Sequence, residues 1–202
     1  MTKEYSNRLI DEIKEVDPSY HFDTLGFPGT FDGQINQIND LRLDRATAFY
    51  KVKGDAEPLQ VETARFLQQR ANAAYDDALR LEQAGKLNVR LSPQEAIGNY
   101  VDQQTRRGLK DLFSQYGIST DRTQPVRVNG REYDSSGTDL TYRRPDARVG
   151  DVAYDVTIAR KTLATPQVRG FFASDFRPSR VIIIRPRQLG AGSTYSITPQ
   201  GR

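Results

Sequence analysis

The sequence predicts an α/β protein of the α+β kind: a helical N-terminal region over residues 1–90, then an α/β module over residues 91–202. Three observations lead there. Apolar residues recur at helical spacing through the first half, and the period changes after Gly117 to short runs rich in β-formers. A single helix start, Thr165-Pro166, then falls between the two best strand runs, 152–158 and 180–185.

Leu9, Ile10, Ile13 and Val16 share one face of a helix over residues 4–16. A turn-rich segment follows from Asp17-Pro18 to Gly33, with the one histidine, His21, between Tyr20 and Phe22. That setting suits a partly buried packing residue. A second amphipathic stretch runs from Gln34 to Val52, using Ile35, Ile38, Leu41 and Phe49. A longer one begins at Glu57-Pro58, carries Val61, Ala64, Leu67, Ala71, Ala74, Ala78 and Leu81, and ends at Gly85. Glycine suits the left-handed position just past a helix. Ser92-Pro93-Gln94-Glu95 reads as an N-cap, a first-position proline and a capping-box glutamate, opening a helix that Gly117 closes. Beyond it, Val126-Arg127-Val128 and Glu132-Tyr133 flank Asn129-Gly130, a hairpin signal. Leu140-Thr141-Tyr142 is a short strand candidate, and 152–158 a stronger one. The Thr165-Pro166 helix carries Gln167, Val168 and the core-filling pair Phe171-Phe172. Arg180-Val-Ile-Ile-Ile-Arg185 has the continuous apolar run of a central strand, and Tyr195-Ser196-Ile197 suits an edge.

Hydrophobic residues make up 37% and charged residues 27%, enough apolar material for an ordinary core. No run approaches the roughly 18 apolar residues of a membrane span. The start, Met1-Thr2-Lys3-Glu4-Tyr5, opens no signal-peptide core, so export would take another route. With no cysteine, disulfides, thiolate metal sites and cysteine nucleophiles are excluded. Charge is divided unequally. Residues 1–102 hold 12 Lys/Arg against 17 Asp/Glu, and residues 103–202 hold 17 against 9. Fifteen of those 17 cations are arginines, whose planar fork matches phosphate. A basic surface kept for solubility is the plainer reading of the same excess.

Two carboxylates stand out. Asp146 follows Arg144-Pro145 at a turn, and Asp155 lies inside the alternating run Val152-Ala153-Tyr154-Asp155-Val156-Thr157-Ile158. A carboxylate on a buried strand is costly unless a cation or hydrogen-bond donors compensate it. A short hairpin that brings the two together lets them share a divalent metal, and hard oxygen ligands suit Mg²⁺. The Pro-Asp pair alone is also ordinary turn chemistry.

The segment Tyr142-Arg-Arg-Pro-Asp146, Tyr154-Asp-Val-Thr157, Thr165-Pro-Gln167-Val-Arg-Gly-Phe171 and Val181-Ile-Ile-Ile184 resembles the PD-(D/E)XK nucleases of restriction-endonuclease-like fold. It is most similar to the C-terminal toxin domains of bacterial polymorphic, contact-dependent and type VI secreted toxins. The resemblance covers about residues 92–198 and implies a mixed central sheet flanked by helices. It implies Asp146 and Asp155 as ligands of Mg²⁺ (or Mn²⁺) in an endonuclease that hydrolyses phosphodiester bonds. DNA is the commoner substrate of that fold, with tRNA the other. In that family a lysine two residues after the second acid helps activate the attacking water. Here Thr157 stands in that place. Lys161 is the replacement if the strand bends or ends, since on a regular strand it lies about 13 Å beyond Thr157. Gln167 matches a glutamine that toxin versions place on the next helix. Arg144, Arg160 and Arg169 are the candidate nucleic-acid contacts. Glu95 is either a helix-borne acid of the metal shell or only a cap, with Asp102 a weaker candidate for that place.

The resemblance also implies a cognate immunity protein, and delivery into a target-cell cytoplasm as part of a larger effector. The first ninety residues would be an adaptor or a cap. Two other readings compete: a non-catalytic nucleic-acid-binding module with a degenerate fold, which Thr157 favours, and a protein-interaction domain with an acidic partner. Tyr133 and Tyr142 either stack on bases or simply pack.

Overall fold

The computed structural model describes residues 2–23, 27, 29–88, 90–134 and 141–199. The protein is α+β with a mixed sheet. Its helices are α1 (Thr2–Val16), α2 (Phe31–Ala48), α3 (Glu57–Gln83), α4 (Pro93–Gln115) and α5 (Pro166–Phe172). Its strands are β1 (Val126–Val128), β2 (Glu132–Tyr133), β3 (Tyr142–Arg143), β4 (Ala147–Val149), β5 (Val152–Val156), β6 (Arg180–Ile184) and β7 (Thr194–Ile197). Leu140, assigned to a strand from sequence, lies outside the described residues. No described helix is long and apolar enough to cross a membrane.

The chain forms two compact units, Met1–Glu62 and Thr63–Arg202, and α3 runs through the division. The 90/91 boundary expected from the sequence falls in the α3–α4 connection. In the first unit, Leu9 and Ile13 of α1 bury against Leu41 of α2, with Tyr20 and Phe22 packed on the same cluster. His21 is exposed, contrary to the sequence expectation. Both its neighbours turn to the core, which leaves His21 to the solvent. The α2 hydrogen-bond pattern gives way at Phe49 to a π-helical turn through Lys53, which Gly54 ends with φ 70°.

The second unit is built around a five-stranded sheet in the order β1-β4-β5-β6-β7. All neighbours are antiparallel except β5 and β6, which run parallel through the α5 crossover. Every residue of β5 is buried, as expected of a strand covered on both faces. Val168 and Phe171 of α5 pack on Ala153, Val181 and Ile183, with Phe172 partly buried beside them. The capping box of α4 is formed: Ser92 Oγ accepts from the Glu95 amide, and the Glu95 carboxylate accepts from the Ser92 amide at 3.0 Å. Beyond Thr63, α3 is tied to the segment after β6. Gln68 Nε2 donates to the Arg185 carbonyl at 2.9 Å, and Asn72 Oδ1 accepts from the Arg187 amide at 2.9 Å.

The Asn129-Gly130 hairpin does not form. Asn129 takes the left-handed conformation that the signal anticipates, φ 54°, yet β1 pairs with β4. β2 pairs instead with β3 in a separate two-stranded ribbon. The physical reason is Glu132. Its buried carboxylate accepts from Arg127 of β1 and Arg148 of β4, each at 3.1 Å, so β2 is fastened to the sheet by charge rather than by a ladder. The ribbon also rests on the end of α5, where the Asp175 amide donates to the Tyr133 carbonyl at 2.8 Å.

Phe171→Ala removes the largest fully buried side chain of the α5 cluster. It should destabilise the protein by about 3–5 kcal/mol, read as a shift of the urea midpoint with an unchanged slope.

Candidate active site

The β4–β5 hairpin sets the site. Ala147 is registered against Tyr154, so one position further on Asp146 stands opposite Asp155. Directly opposed residues carry their Cβ atoms about 4.5–5.5 Å apart, and like charges there repel. The Asp146 amide donates to the Tyr154 carbonyl at 2.9 Å. The next ladder donor, the Val156 amide, goes instead to Asp146 Oδ2 at 2.6 Å. The carboxyl thus takes over a backbone acceptor's place and is locked to β5. Both acids are buried, Asp146 at 8% exposure and Asp155 at 2%.

Three groups surround them. Lys161 Nζ lies 2.6 Å from Asp155 Oδ2, with only 13% of its side chain exposed. It donates to Gln167 Oε1 at 2.6 Å, and Gln167 Nε2 donates to Asp155 Oδ1 at 3.0 Å. Lys161, Gln167 and Asp155 thereby close a ring of polar contacts. The third group is Asp102 on α4. Its carboxyl faces that of Asp146 and is paired on its other oxygen with Arg106. Asp102 Oδ1 is buried, and the two carboxyls lie close enough for a protonated Asp146 to donate to Asp102.

Lys161 reaches the site because β5 ends at Val156. Thr157 Oγ1 accepts from the Ala159 amide at 3.2 Å, a side-chain turn that curls the chain back. The Arg185 guanidinium donates to the Ile158 carbonyl at 3.3 Å, and Gly98 of α4 leaves room for the Ile158 side chain. Tyr195 of β7 then holds Lys161 by its backbone. Its hydroxyl accepts from the Lys161 amide at 2.9 Å and donates to the Lys161 carbonyl at 2.8 Å. Thr157 therefore helps form the turn that returns an amine to the acids.

Asp146, Asp155, Lys161 and Gln167 come together, as the sequence expected. Glu95 does not join them: its carboxylate is exposed and bound to Ser92 Oγ at 2.7 Å, and Asp102 is the α4 acid at the site. The capping box fixes Glu95 at the start of α4, while Asp102 lies two turns further along. Arg144, Arg160 and Arg169 are all exposed. Arg144 lies 5.1 Å from the Tyr142 ring centre, Arg160 is beside Gly192, and Arg169 follows Gln167 on α5. Sequence reasoning missed Tyr195 as a positioning group. Its edge-strand placement was legible, but its contact with residue 161 is not a local pattern.

Burial pushes the Asp146 carboxyl well above the usual range, and the neighbouring Asp102 and Asp155 carboxyls push the same way against the Val156 amide. Burial also raises Asp155, opposed by Lys161. Among the described residues no three His, Cys, Asp or Glu side chains form a metal cage by themselves. The donors do fit a cation that keeps waters and takes phosphate oxygens, as Mg²⁺ does with one or two carboxylates. The mutual repulsion of the Asp102, Asp146 and Asp155 carboxyls is the feature that such a charge would relieve.

No family model, no curated protein and no solved structure matches this chain.

The raised Asp146 value has a stability consequence. The folded protein holds that proton more tightly than the unfolded chain, so the group's contribution is full in acid and is lost as pH rises through the folded value. Asp146→Asn should therefore raise the thermal midpoint of the metal-free protein at neutral pH, by about 2–4 °C per kcal/mol recovered. The gain should shrink towards about pH 4, the range in which an ordinary aspartate protonates. Thermal unfolding of both proteins across pH checks the sign.

Proposed function

We propose that the chain is a divalent-metal-dependent nuclease with a restriction-endonuclease-like core, hydrolysing phosphodiester bonds of nucleic acid. The observation that carries this reading is the convergence of Asp146, Asp155, Lys161 and Gln167 at the end of β5. The order of parts supports it further: strand, Pro-Asp turn, acid on a buried strand, Pro-Gln helix and parallel buried strand.

Asp146 and Asp155 would hold Mg²⁺ or Mn²⁺, with Asp102 close enough to add charge. When bound there, the cation supplies Lewis acidity, lowering the pKa of water and neutralising phosphate charge. The rest is the chain's own work. Lys161 brings a positive charge and three donors to the acids, in a geometry fixed through Tyr195 and Gln167. Gln167 holds its amide nitrogen towards Asp155 and its oxygen towards Lys161, which orients both groups. Arg160 and Arg169, exposed on the turn and on α5, would take phosphates of the substrate strand. DNA is the preferred substrate in this reading and tRNA the alternative. The wider setting rests on sequence resemblance alone: a larger bacterial effector delivered to a target-cell cytoplasm and neutralised by an immunity protein.

One observation favours a second reading. Lys161 already compensates Asp155, which suits a non-catalytic nucleic-acid-binding module needing no cation. Cleavage of supercoiled plasmid and of total tRNA, with and without Mg²⁺, separates the two. The nuclease reading expects metal-dependent cleavage that falls to background in Asp146→Ala and Asp155→Ala. Folded protein that cleaves neither polymer, and whose melting Mg²⁺ does not shift, would sink it.

Lys161→Met should reduce cleavage by about 10²–10⁴-fold, the usual worth of a positioned proton-transfer or charge-stabilising group. Tyr195→Phe removes only the hydroxyl that clamps Lys161. It should lower the cleavage rate with little change in substrate affinity, seen in single-turnover kinetics.

A further inference from the structure

The β2–β3 ribbon carries a feature that the acid site does not use. Tyr133 forms one wall of a cavity of about 360 Å³ whose other lining residues are Thr120, Arg122, Arg127, Gly130 and Arg131. Three of the six are arginines. Arg127 is committed to Glu132 and to the Gln124 carbonyl. Arg122 and Arg131 instead lie against aromatic rings: Arg122 is 5.8 Å from the Tyr133 ring centre and Arg131 4.7 Å from that of Tyr142. The Tyr133 and Tyr142 rings meet edge to face at 6.4 Å, and Tyr142 is 41% exposed. A flat aromatic wall and two guanidinium groups on open ground form a site for a planar group carrying negative charge.

Size narrows the ligand. A volume near the lower end of the small-molecule range accommodates one nucleotide and excludes a continuous duplex. An unpaired base offers its face for stacking whatever its identity, and its phosphate meets the arginines. The backbone beside the cavity is joined to the strand that carries Asp146. Gly130 follows Asn129, whose amide donates to the Asp146 carbonyl at 3.0 Å, and Tyr142 precedes Asp146 by about 13 Å of extended chain at most.

We infer that this cavity receives an unstacked nucleotide of the substrate, stacked on Tyr133 with its phosphate on Arg122 and Arg131. The protein thus selects polynucleotides with single-stranded segments over continuous duplex. The inference rests on the nucleic-acid reading above and deepens it by naming the substrate class.

Binding tests it apart from cleavage. Fluorescence anisotropy would follow full-length Asp146→Asn protein, without metal, on a short labelled single-stranded DNA, the RNA of the same sequence, and the matching DNA duplex. Single strands should bind more tightly than duplex, with RNA and DNA arms separating the two backbones. Adding Tyr133→Ala should weaken single-strand binding about tenfold and leave duplex binding unchanged. Tyr133→Phe keeps the ring and loses only the hydroxyl that accepts from Arg122 at 3.4 Å, so it should retain most of the single-strand preference, which guards against a fold defect in the alanine variant. Arg122→Ala or Arg131→Ala should each reduce the salt dependence of single-strand binding by about one counterion. Equal loss on single strands and duplex, or no loss with Tyr133→Ala, overturns the inference. Tyr133-dependent binding by a protein that cleaves nothing would uphold it while defeating the nuclease reading.

Discussion

One hydrogen bond organises the second unit of this protein, from the Val156 amide to the Asp146 carboxyl at 2.6 Å. It replaces a rung of the β4–β5 ladder with a side chain, so the acid cannot move away from β5 without leaving a buried amide unpaired. Asp155 is then held opposite by register, and the two acids must share one buried space. Much that surrounds them answers that repulsion. Lys161 returns, Gln167 bridges, and Arg106 pairs the outer oxygen of Asp102. Such a cluster lowers stability wherever its charges are not compensated.

Tertiary contacts give Thr157 a structural role. By spacing alone, a threonine in a position that wants lysine reads as loss of function. In the folded chain the threonine side chain belongs to the turn, and the amine arrives four residues later. Charge at the site is therefore set by where β5 stops. Three independent restraints decide that stop: the Thr157 hydroxyl, the Arg185 guanidinium and the Tyr195 hydroxyl. They come from the turn, the end of β6 and β7.

Local patterns in the sequence proved reliable where a neighbour in the chain supplies the partner. The Ser92–Glu95 capping box and the left-handed Asn129 are of this kind. They failed where the partner is distant. Asn129-Gly130 gives a turn, but β2 meets β1 only through the Glu132–Arg127 ion pair, shared with Arg148 of β4, and not through a ladder. Glu95 and Asp102 are two acids on one helix, and only the position of β5 decides which one is at the site. His21 stands between two aromatics and still faces solvent, because both neighbours turn inward. The meeting of Asp146 with Asp155 was legible from the short span between them, although the turn assigned to Asp146 hid the strand β4 that begins at Ala147. The Tyr195 clamp, 34 residues from Lys161, was not.

Tyr195 sits on β7, the last described strand, and this sets the order in which the site can be assembled during synthesis. Asp102, Asp146, Asp155 and Lys161 all leave the ribosome before the residue that fixes the amine. At about 5–20 residues per second, the acids wait some seconds with their hairpin able to form but the turn beyond it unsecured. Until β7 zips onto β6, the nascent chain carries the chemistry of the site without its geometry.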